Sequence, residues 1–437
     1  MRIAILGGGL TGLTLGYLLK QNGAEFEILE REHECGGLMK TLRENGFAFD
    51  CGGSHIIFSK DKFILNFMLS LLGDNKIKNK RNSKIFYGGT YVKYPFENGL
   101  ADLSRQDNFE CLHGFVLSLI KKAQEPARTP KNFKEWCHHA FGAGIAEKYL
   151  IPYNEKIWKF QTDKISTDWV QRLPNPSLED IIRSSLGCNT EGYKHQLFFY
   201  YPKFGGIQTL IKTLENGLER NIVRDYCITR IRKEGDKWII SNDGQARSYD
   251  RIISTIPLPD LVKALQINGA VKKAADNLKC NSLITVFLGL RVAKLNNFSW
   301  VYIPNKSLVA HRISFPSNYS PDAAPKGRSS VLAEITCNFE DQVWRMKDVD
   351  IAGRVCEELH QAKILSKRDI CYWSVKRSKY AYVVYDLDHR KNVRLIHKHL
   401  KNIGVDVVGR FSEFEYLNMD GCIKHAHAFV DKLHNHE

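Results

Sequence analysis

The residues near the start of the chain have the types and spacing of a phosphate-binding loop. Glycines stand at Gly7, Gly9 and Gly12, and Glu30 follows eighteen residues after Gly12. In such a loop the first glycine allows a tight strand-to-helix turn, the second admits a pyrophosphate, and the third lets helix and strand pack closely. Free N–H groups at the helix start favour the phosphates, and the acid can accept hydrogen bonds from a ribose diol. The pattern therefore predicts a bound dinucleotide.

The elements that would position this loop follow from the hydrophobic pattern. Residues 2–6 form a short apolar run typical of a buried parallel strand, residues 13–21 fit a helix, and residues 25–30 fit a second strand ending in the acid. Because strand, helix, strand and acid occur in order, the prediction is more specific than the glycine spacing alone.

The rest of the chain changes between strand and helix patterns. Strand patterns occur at 84–93, 226–232, 237–241, 251–257, 283–292 and 329–337, and helical patterns at 100–195, 351–362 and 419–433. Since buried-strand patterns return after residue 200 and again near the C-terminus, we expect domains built from discontinuous segments.

Composition narrows the class of partner and the expected compartment. The chain has 437 residues, of which 43% are hydrophobic, and a formal net charge of +15 that would favour an anionic partner. Nucleic acid is not expected, because the basic residues are dispersed and accompany no nucleic-acid-binding motif. We expect a cytoplasmic protein with no integral membrane segment, because the first residues leave no room for a signal peptide and no eighteen apolar residues follow one another. Its eleven cysteines contain no Cys-x-x-Cys pair and fit small core residues.

Neither a protein nucleophile nor a metal site is expected from the remaining reactive residues. The histidines at 138–139 and in the C-terminal tail have no cysteine or acid at a ligand spacing, so they read as surface residues. No Ser/His/Asp or Cys/His pattern stands out.

Further glycine pairs indicate which dinucleotide is bound. Gly36 and Gly37 come soon after Glu30, and Gly52 and Gly53 precede His55. This arrangement resembles the extended FAD fingerprint of the amine-oxidase-like flavoproteins, and residues 228–231 and 252–257 resemble their adenine-contacting segment and the strand that closes their FAD domain. The resemblance implies FAD rather than NAD, with cofactor contacts from Gly7, Gly9, Leu10, Thr11, Gly12, Glu30, Arg31, Gly37, Leu38, His55, Ile228, Arg410 and Asn418.

Ordered blocks over nearly the whole chain resemble one branch of that group, the UDP-galactopyranose mutase family. The resemblance is to its eukaryotic form and to related proteins described as protoporphyrinogen-oxidase-like. The blocks are residues 52–59, 94–98, 151–158, 201–206, 312–321 and 409–418. The implied fold is α/β: a Rossmann-type FAD domain (1–88, 205–262 and 396–437), an inserted helical domain (100–200) and a mixed β-sheet substrate domain (89–99 and 263–395).

The resemblance also implies a site for a nucleotide-diphosphate sugar. Guanidinium forks match phosphate oxygens in pairs, and each charge-assisted hydrogen bond contributes about 1.5–3 kcal/mol. The catalytic residues would be His55, Arg172 and Arg312, and the substrate-binding residues would be Tyr94, Glu97, Tyr149, Asn154, Trp158, Arg172, Arg312, Tyr319, Tyr382 and Tyr416. Tyr149 fits either stacking on the base or packing between helices.

The implied reaction is a ring contraction without net redox change, in which N5 of the reduced flavin acts as nucleophile on the anomeric carbon. Two residues depart from the family pattern. Ser54 is an extra residue before His55, and Glu97 stands where a glutamine is expected near the nucleobase. An ionised carboxylate only accepts hydrogen bonds, so Glu97 bears on the choice of base.

Two other functions remain open from the sequence. One is a redox enzyme of the amine oxidase or protoporphyrinogen oxidase type, whose site should be apolar or lined by an aromatic cage. The other is a flavin-bound protein with a binding role only. The sugar, the electron donor and a possible homo-oligomer are left undetermined by the sequence.

Overall fold

The computed structural model of the protein describes residues 1–125, 127–170, 176–188, 190 and 197–434. In chain order its strands are β1 (Arg2–Leu6), β2 (Glu25–Leu29), β3 (Thr41–Glu44), β4 (Phe47–Asp50), β5 (Ile77–Lys80), β6 (Ser83–Tyr87), β7 (Thr90–Lys93), β8 (Phe198–Tyr201), β9 (Ile222–Val223), β10 (Arg230–Glu234), β11 (Lys237–Ser241), β12 (Ala246–Tyr249), β13 (Arg251–Ser254), β14 (Lys279–Leu290), β15 (Trp300–Tyr302), β16 (Arg312–Ser314), β17 (Ser329–Cys337), β18 (Ile370–Val384) and β19 (Val405–Val407).

The α-helices follow in the same order. They are α1 (Leu10–Gln21), α2 (Lys62–Leu72), α3 (Arg105–Gln124), α4 (Phe133–Ile145), α5 (Ile151–Trp158), α6 (Leu178–Ser185), α7 (Gln208–Glu215), α8 (Leu258–Ala264), α9 (Gly269–Asn277), α10 (Gln342–Arg345), α11 (Asp348–Gln361), α12 (His389–Ile403) and α13 (Met419–His434). A π-helical turn, Ala146–Leu150, joins α4 to α5.

A five-stranded parallel sheet carries the glycine loop. Its order is β19-β13-β1-β2-β9, with β1 in the centre between β13 and β2. The apolar runs of β1 and β13 are buried because helices cover this kind of sheet on both faces. The predicted strand, helix and strand at the start of the chain are confirmed, although the helix begins at Leu10, directly after Gly9.

A seven-stranded mixed sheet forms the second large layer. Its order is β18-β14-β17-β16-β15-β6-β7, and every residue of β17 is buried. The predicted strands near 283–292 and 329–337 are therefore confirmed, with β14 starting four residues earlier, at Lys279. The fifteen residues of β18 carry no apolar pattern because this strand lies at the edge of the sheet, where charged residues are tolerated.

Helices α3 to α6 occupy the region that the sequence predicts to be helical. Phe115, Phe133 and Phe141 are buried between α3 and α4. The α/β class and the Rossmann-type sheet are confirmed, whereas the division into three domains stays a prediction. β6, which the predicted boundary at residue 88 assigns to the FAD domain, pairs with β7 and β15 of the seven-stranded sheet. Within the described ranges, no helix is both long and apolar enough to cross a bilayer.

Candidate functional site

The glycine loop has the close contacts that its sequence pattern requires. A Cβ atom on Gly12 would lie 1.9 Å from the carbonyl oxygen of Gly7, so only glycine lets α1 start against β1. Gly7 itself has φ +98°, a value that suits glycine. A Cβ on Gly9 would meet no protein atom within 4 Å. The backbone at Gly9 therefore faces open space, as a loop that approaches phosphates should.

Gly36 and Glu30, from two further segments, both form hydrogen bonds with this loop. The N–H of Gly36 donates to the carbonyl of Gly8 at 2.9 Å, and Gly36 forms a parallel bridge with Gly9. The Glu30 carboxylate accepts the N–H of Gly8 at 2.7 Å and the N–H of Glu32 at 2.9 Å. Each of its oxygens keeps acceptor capacity, so a ribose diol could be held beside the loop.

The C-terminal block closes over the start of α1. Gly409 lies so close that a Cβ on it would be 2.4 Å from Oγ1 of Thr11. Arg410 follows and donates from Nη1 to the carbonyl of Leu417 at 2.7 Å, whereas its Nε is buried and has no partner within the described chain. An open cradle at Gly9, a paired acid under the loop and an orphaned donor at Arg410 all fit a flavin dinucleotide.

The other residues expected to hold the cofactor are less closely packed. Leu38 accepts the N–H of Gly52 at 3.1 Å and lies beside the exposed Gly37. Arg31 is exposed and paired with Glu32, Ile228 is partly buried just before β10, and Asn418 is exposed at the start of α13. Their roles stay predictions.

A row of three side chains crosses the seven-stranded sheet near this loop. Tyr302 on β15 is in register with Arg312 on β16, which is in register with Glu334 on β17. Directly opposed residues of antiparallel strands project to the same face. The sheet register therefore places a phenol, a guanidinium and a carboxylate side by side.

Arg312 and Glu334 form a buried, bidentate salt bridge. Nε and Nη2 of Arg312 donate to the two carboxylate oxygens of Glu334 at 2.8 Å and 2.6 Å, and the Glu334 side chain is 0% exposed. Burial alone would lower the pKa of Arg312, but Glu334 outweighs it and holds that pKa well above its ordinary value. Within the described chain Nη1 has no hydrogen bond, so one edge of the guanidinium remains for another acceptor.

The segment before His55 contacts this ion pair. The N–H of Ser54 donates to Glu334 at 3.3 Å, and the Ser54 hydroxyl lies 2.8 Å from the hydroxyl of Tyr319. Tyr319 is itself buried, with its ring centroid 5.0 Å from that of Tyr201. The extra residue Ser54 thus connects two predicted site residues, Tyr319 and His55, to the buried carboxylate.

His55 is a neutral imidazole in this setting. Its Nδ1 lies 2.8 Å from the carbonyl oxygen of Gly53, so Nδ1 carries the proton and Nε2 is the acceptor. Burial lowers the pKa of His55 to about 4, and the nearby charges of Arg410 and Arg312 act in the same direction, against the hydrogen bond to Gly53.

Two tyrosine rings lie beside the Arg410 guanidinium, and a tryptophan packs against both of them. The guanidinium lies 4.8 Å from the ring centroid of Tyr416 and 5.5 Å from that of Tyr382. Trp158 meets both rings edge-on, at 5.6 Å and 6.1 Å between centroids. Asn154 fixes this tryptophan, because its Oδ1 accepts the indole N–H at 2.9 Å while its Nδ2 donates to Leu150. Asn154 is therefore a positioning residue in this structure.

We call His55, Arg312, Glu334 and Arg410 the charged end of the site. The opposite part, the tyrosine end, consists of Tyr94, Tyr149, Tyr153 and Tyr302. Neighbouring ring centroids in this set lie 4.7 Å (Tyr94 to Tyr302), 5.4 Å (Tyr149 to Tyr153) and 5.5 Å (Tyr153 to Tyr302) apart. Tyr302 belongs to the same row as Arg312, so the two ends are continuous.

Glu97 and Arg81 are two ionisable residues beside the tyrosine end. The Glu97 side chain is 4% exposed, and burial raises the pKa of its carboxyl to about 7. The Arg81 guanidinium lies 4.6 Å from the ring centroid of Tyr94 and donates to the Tyr302 hydroxyl at 3.4 Å. Tyr149 stacks on Phe96 at 5.0 Å, which favours the packing role for that residue.

The structure thus brings together most of the predicted substrate residues, and it adds others. Arg172 lies outside the described residues. Sequence reasoning assigned no role to Glu334, Arg81, Tyr153 or Tyr302. Glu334 had a signal, since it is a lone acid in the otherwise uncharged strand Ser329–Cys337. Tyr153 lies in the block 151–158, but nothing local singles out Arg81 or Tyr302.

Comparison with known proteins gives a family match and several similar folds. The sequence profile described as flavin containing amine oxidoreductase matches residues 10–389. A 4,4'-diapophytoene desaturase (4,4'-diaponeurosporene-forming) of Staphylococcus aureus (strain COL) is 27% identical over 298 residues, 61% of this chain. The chain spans 57% of the length of that desaturase.

Solved structures resemble the whole chain. A reduced UDP-galactopyranose mutase has a TM-score of 0.89 at 24% identity, covering 100% of this chain and 94% of its own. A protein of Exiguobacterium sp. 255-15, provisionally assigned as a protoporphyrinogen oxidase, has a TM-score of 0.79 at 18% identity, with coverage of 100% and 99%. Putrescine oxidase bound to putrescine has a TM-score of 0.69 at 14% identity, with 99% of both chains covered. At these identities the likeness establishes the fold.

Proposed function

We propose that this chain, which belongs to the flavin-containing amine oxidoreductase family and is therefore a flavin enzyme, is a nucleotide-sugar mutase. It would use FAD to interconvert the pyranose and furanose forms of a UDP-galactose-like substrate. The observation that carries the proposal is the row Tyr302, Arg312 and Glu334 beside Arg410 and His55. This set offers hydrogen-bond donors and a surplus positive charge to a diphosphate, and it offers little to an apolar substrate.

Different residues would bind the cofactor and the diphosphate. Gly9, Glu30 and Arg410 would hold the dinucleotide cofactor, which in its reduced form supplies the nucleophile N5. Nη1 of Arg312 and the hydroxyls of Tyr382 and Tyr416 would donate to the diphosphate and stabilise it when it leaves the sugar. Since the sugar and diphosphate must recombine, holding both at one place is the main task of the protein.

His55 would contribute without transferring a proton. Its neutral ring, fixed by the carbonyl of Gly53, presents Nε2 as an acceptor near the cofactor segment. Trp158 packs edge-on against the rings of Tyr382 and Tyr416, where it would exclude water, and Asn154 fixes its orientation. The tyrosine end would then bind the nucleoside, with Glu97 beside it as a hydrogen-bonding group for the base.

The desaturase similarity keeps a redox enzyme as the second candidate. A carotenoid desaturase needs a long apolar channel, whereas the described site contains a buried ion pair, two further arginines and several phenols. We therefore rank the mutase above the redox enzyme.

A turnover experiment separates the two candidates. The purified flavoprotein is reduced with dithionite under nitrogen and mixed with UDP-galactofuranose, and the sugar nucleotides are separated by chromatography. The mutase predicts conversion to UDP-galactopyranose by the reduced protein and none by the air-oxidised protein. Oxygen consumption with a polyene or amine substrate, together with no sugar conversion, would reject the mutase.

A pair of loop variants tests the cofactor site without relying on turnover. Gly9→Ala adds a methyl group that meets no protein atom, so the fold should be kept while flavin retention falls. Gly12→Ala places the same group 1.9 Å from the Gly7 oxygen and should disturb the loop itself. Flavin content and thermal unfolding measured on both variants check this, and full flavin retention in Gly9→Ala would contradict the proposed cradle.

A further inference from the structure

A second cluster of basic residues lies on the far side of helix α5, away from the site described above. It lines a groove of about 480 Å³ that adjoins another of about 330 Å³. We call it the Lys159 groove and define it by Lys159, Phe160, Gln161, Lys306, Asn338 and Arg354. One acid, Glu155, also lines it. Its volume is within the range of pockets that hold small organic ligands.

Lys159 differs from the other cations of this groove. Arg354 is paired with Glu358 at 2.7 Å, and Lys306 lies 3.8 Å from Glu155. Lys156 donates to three backbone carbonyls, those of Ile303, Asn305 and Ala310, so all its hydrogen-bond donors are used within that loop. Among the described residues, no carboxylate lies within 4 Å of the Lys159 ammonium, which is partly buried.

The backbone at Lys159 is also unusual. It ends α5 in the left-handed region, with φ 51° and ψ 36°. For a residue other than glycine this conformation costs about 1–2 kcal/mol. Such a conformation persists where the surrounding structure holds it, and it often marks a functional position. The Lys159 side chain lines the groove near the positive side chains of Lys306 and Arg354, and the acid whose charge acts on it, Asp341, forms no ion pair with it within 4 Å.

The remaining lining suits an organic anion better than a bare ion. The side-chain amides of Gln161 and Asn338 make no hydrogen bond within the described chain, so they can donate to an anion. Phe160, Val309 and Val343 supply an apolar wall. A lysine ammonium is a common point-charge partner for phosphate.

We propose that the Lys159 groove binds a small organic phosphate monoester, with the Lys159 ammonium as its main phosphate contact. The site is separate from the flavin and diphosphate positions, because Trp158 lies between them. Trp158 lines the adjoining cavity and meets Tyr382 and Tyr416 with its ring. Nothing in this proposal depends on the mutase reaction.

Titration calorimetry on the flavin-loaded protein tests the groove. The probe is ribose 5-phosphate, and ribose is its matched control without the phosphate. Lys159→Asn removes the charge and tolerates the left-handed backbone, and Lys62→Asn is the matched change at an exposed lysine on α2, in the other part of the molecule. Lys159→Gly is a second charge-removing variant that suits the same backbone, and Lys159→Arg keeps the charge.

We expect one saturable site for ribose 5-phosphate, negligible binding of ribose, and affinity at least about tenfold weaker in Lys159→Asn and Lys159→Gly. Lys62→Asn should bind as the unchanged protein does, and Lys159→Arg should retain most of the affinity. Equal affinity in Lys159→Asn and Lys62→Asn, equal binding of ribose, or no saturable binding at all would overturn the proposal.

Discussion

The charged end and the tyrosine end of the candidate site hold their side chains by different means. At the charged end, the register of two antiparallel strands places Arg312 against Glu334, and the pair is buried. At the tyrosine end, rings from three separate parts of the chain pack against one another at centroid distances of 4.7–5.5 Å, in stacked, tilted and edge-on pairs. The first arrangement is specific to one geometry, whereas aromatic stacking tolerates small shifts.

The ion pair between Arg312 and Glu334 also changes the expected charge of the site. The resemblance implied Arg172 and Arg312 as two cations facing a diphosphate. The Glu334 carboxylate offsets the charge of Arg312, so the surplus positive charge of the described site comes from Arg410 and Arg81. Electrostatic attraction for the substrate is therefore predicted to depend more on these two residues than on Arg312.

The largest expected effect is at the charged end. Glu334→Ala would leave the Arg312 guanidinium largely buried without its partner, and breaking a buried ion pair in this way costs about 3–5 kcal/mol. Urea unfolding of the flavin-loaded protein measures the loss. The double variant with Arg312→Met and Glu334→Leu is the control, since replacing both charges should recover most of the stability. A loss below about 1 kcal/mol in Glu334→Ala would show that the charged end is not fixed by this pair. For the same reason Arg312→Ala alone is a poor test of substrate binding, because it strands the Glu334 carboxylate.

The second effect concerns the carboxyl group beside the tyrosine end. Burial raises the pKa of Glu97 to about 7, above the value near 4.5 of an unfolded chain, so the folded state binds more protons between these values. Stability should therefore fall as pH rises from about 4.5 to 7, by about 3 kcal/mol for this group, and then level off. Urea unfolding at pH 5 and pH 8 should show this difference in the unchanged protein relative to Glu97→Gln.

The protonation of Glu97 should also affect binding of the base, because the neutral carboxyl offers one donor and one acceptor to a uracil edge. UDP affinity should then weaken above pH 7 in the protein with Glu97 and stay level in Glu97→Gln. Identical pH profiles for the two proteins would contradict both expectations.

A smaller effect is expected where the two ends meet. Tyr302→Phe keeps the ring stacking of the tyrosine end and removes only the hydroxyl that accepts from Arg81 at 3.4 Å. Loss of one such hydrogen bond should weaken UDP binding by about 0.5–1.5 kcal/mol, roughly two- to tenfold. Fluorescence titration measures this, with Tyr91→Phe as a control on a tyrosine that packs against Phe298 instead. If Tyr302→Phe abolished binding, the hydroxyl would be a principal ligand and the stacking secondary.

The smallest effect is expected at His55, whose protonation state should not change near neutral pH. Burial lowers the pKa of His55 to about 4, below its value near 6.5 in an unfolded chain, so the ring should stay neutral from pH 5.5 to 8.5. NMR of the imidazole resonances, assigned with His55→Gln, checks this. The stability contributed by the neutral ring is present above pH 6.5 and is lost as pH falls toward 4. A midpoint near 6.5 would mean that the ring is less buried, and Arg410 and Arg312 farther from it, than the structure shows.

The parts of this molecule that could be predicted from sequence are those defined by neighbouring residues. The glycine loop, β1, α1 and β2 follow from spacing and hydrophobic pattern within the first thirty residues. Strands β14 and β17 can be predicted because buried strands are continuously apolar. β18 cannot, because an edge strand carries charges that obscure the strand pattern.

The pairing of Arg312 with Glu334 could not be predicted for a different reason. It depends on strand register between segments joined by a long connection, and a shift of one residue would turn one side chain to the opposite face. Arg81 shows the same limit, because its partners Tyr94 and Trp300 come from different elements. The resemblance supplied the residue types of the site, whereas its charge balance needed the three-dimensional arrangement.

The central position of β1 has a consequence for how the protein is made. β1 is synthesised before the other strands of its sheet, but its neighbour β13 begins at Arg251, and β19 completes the sheet only at Val405–Val407. At roughly 5–20 residues per second, the first strand waits on the order of tens of seconds for the last one. During synthesis the apolar strand and the glycine loop are therefore exposed together, and the nascent chain should depend on chaperones until β19 has emerged. Truncations near residue 400 should accordingly yield aggregated, flavin-free protein rather than a smaller cofactor-binding domain.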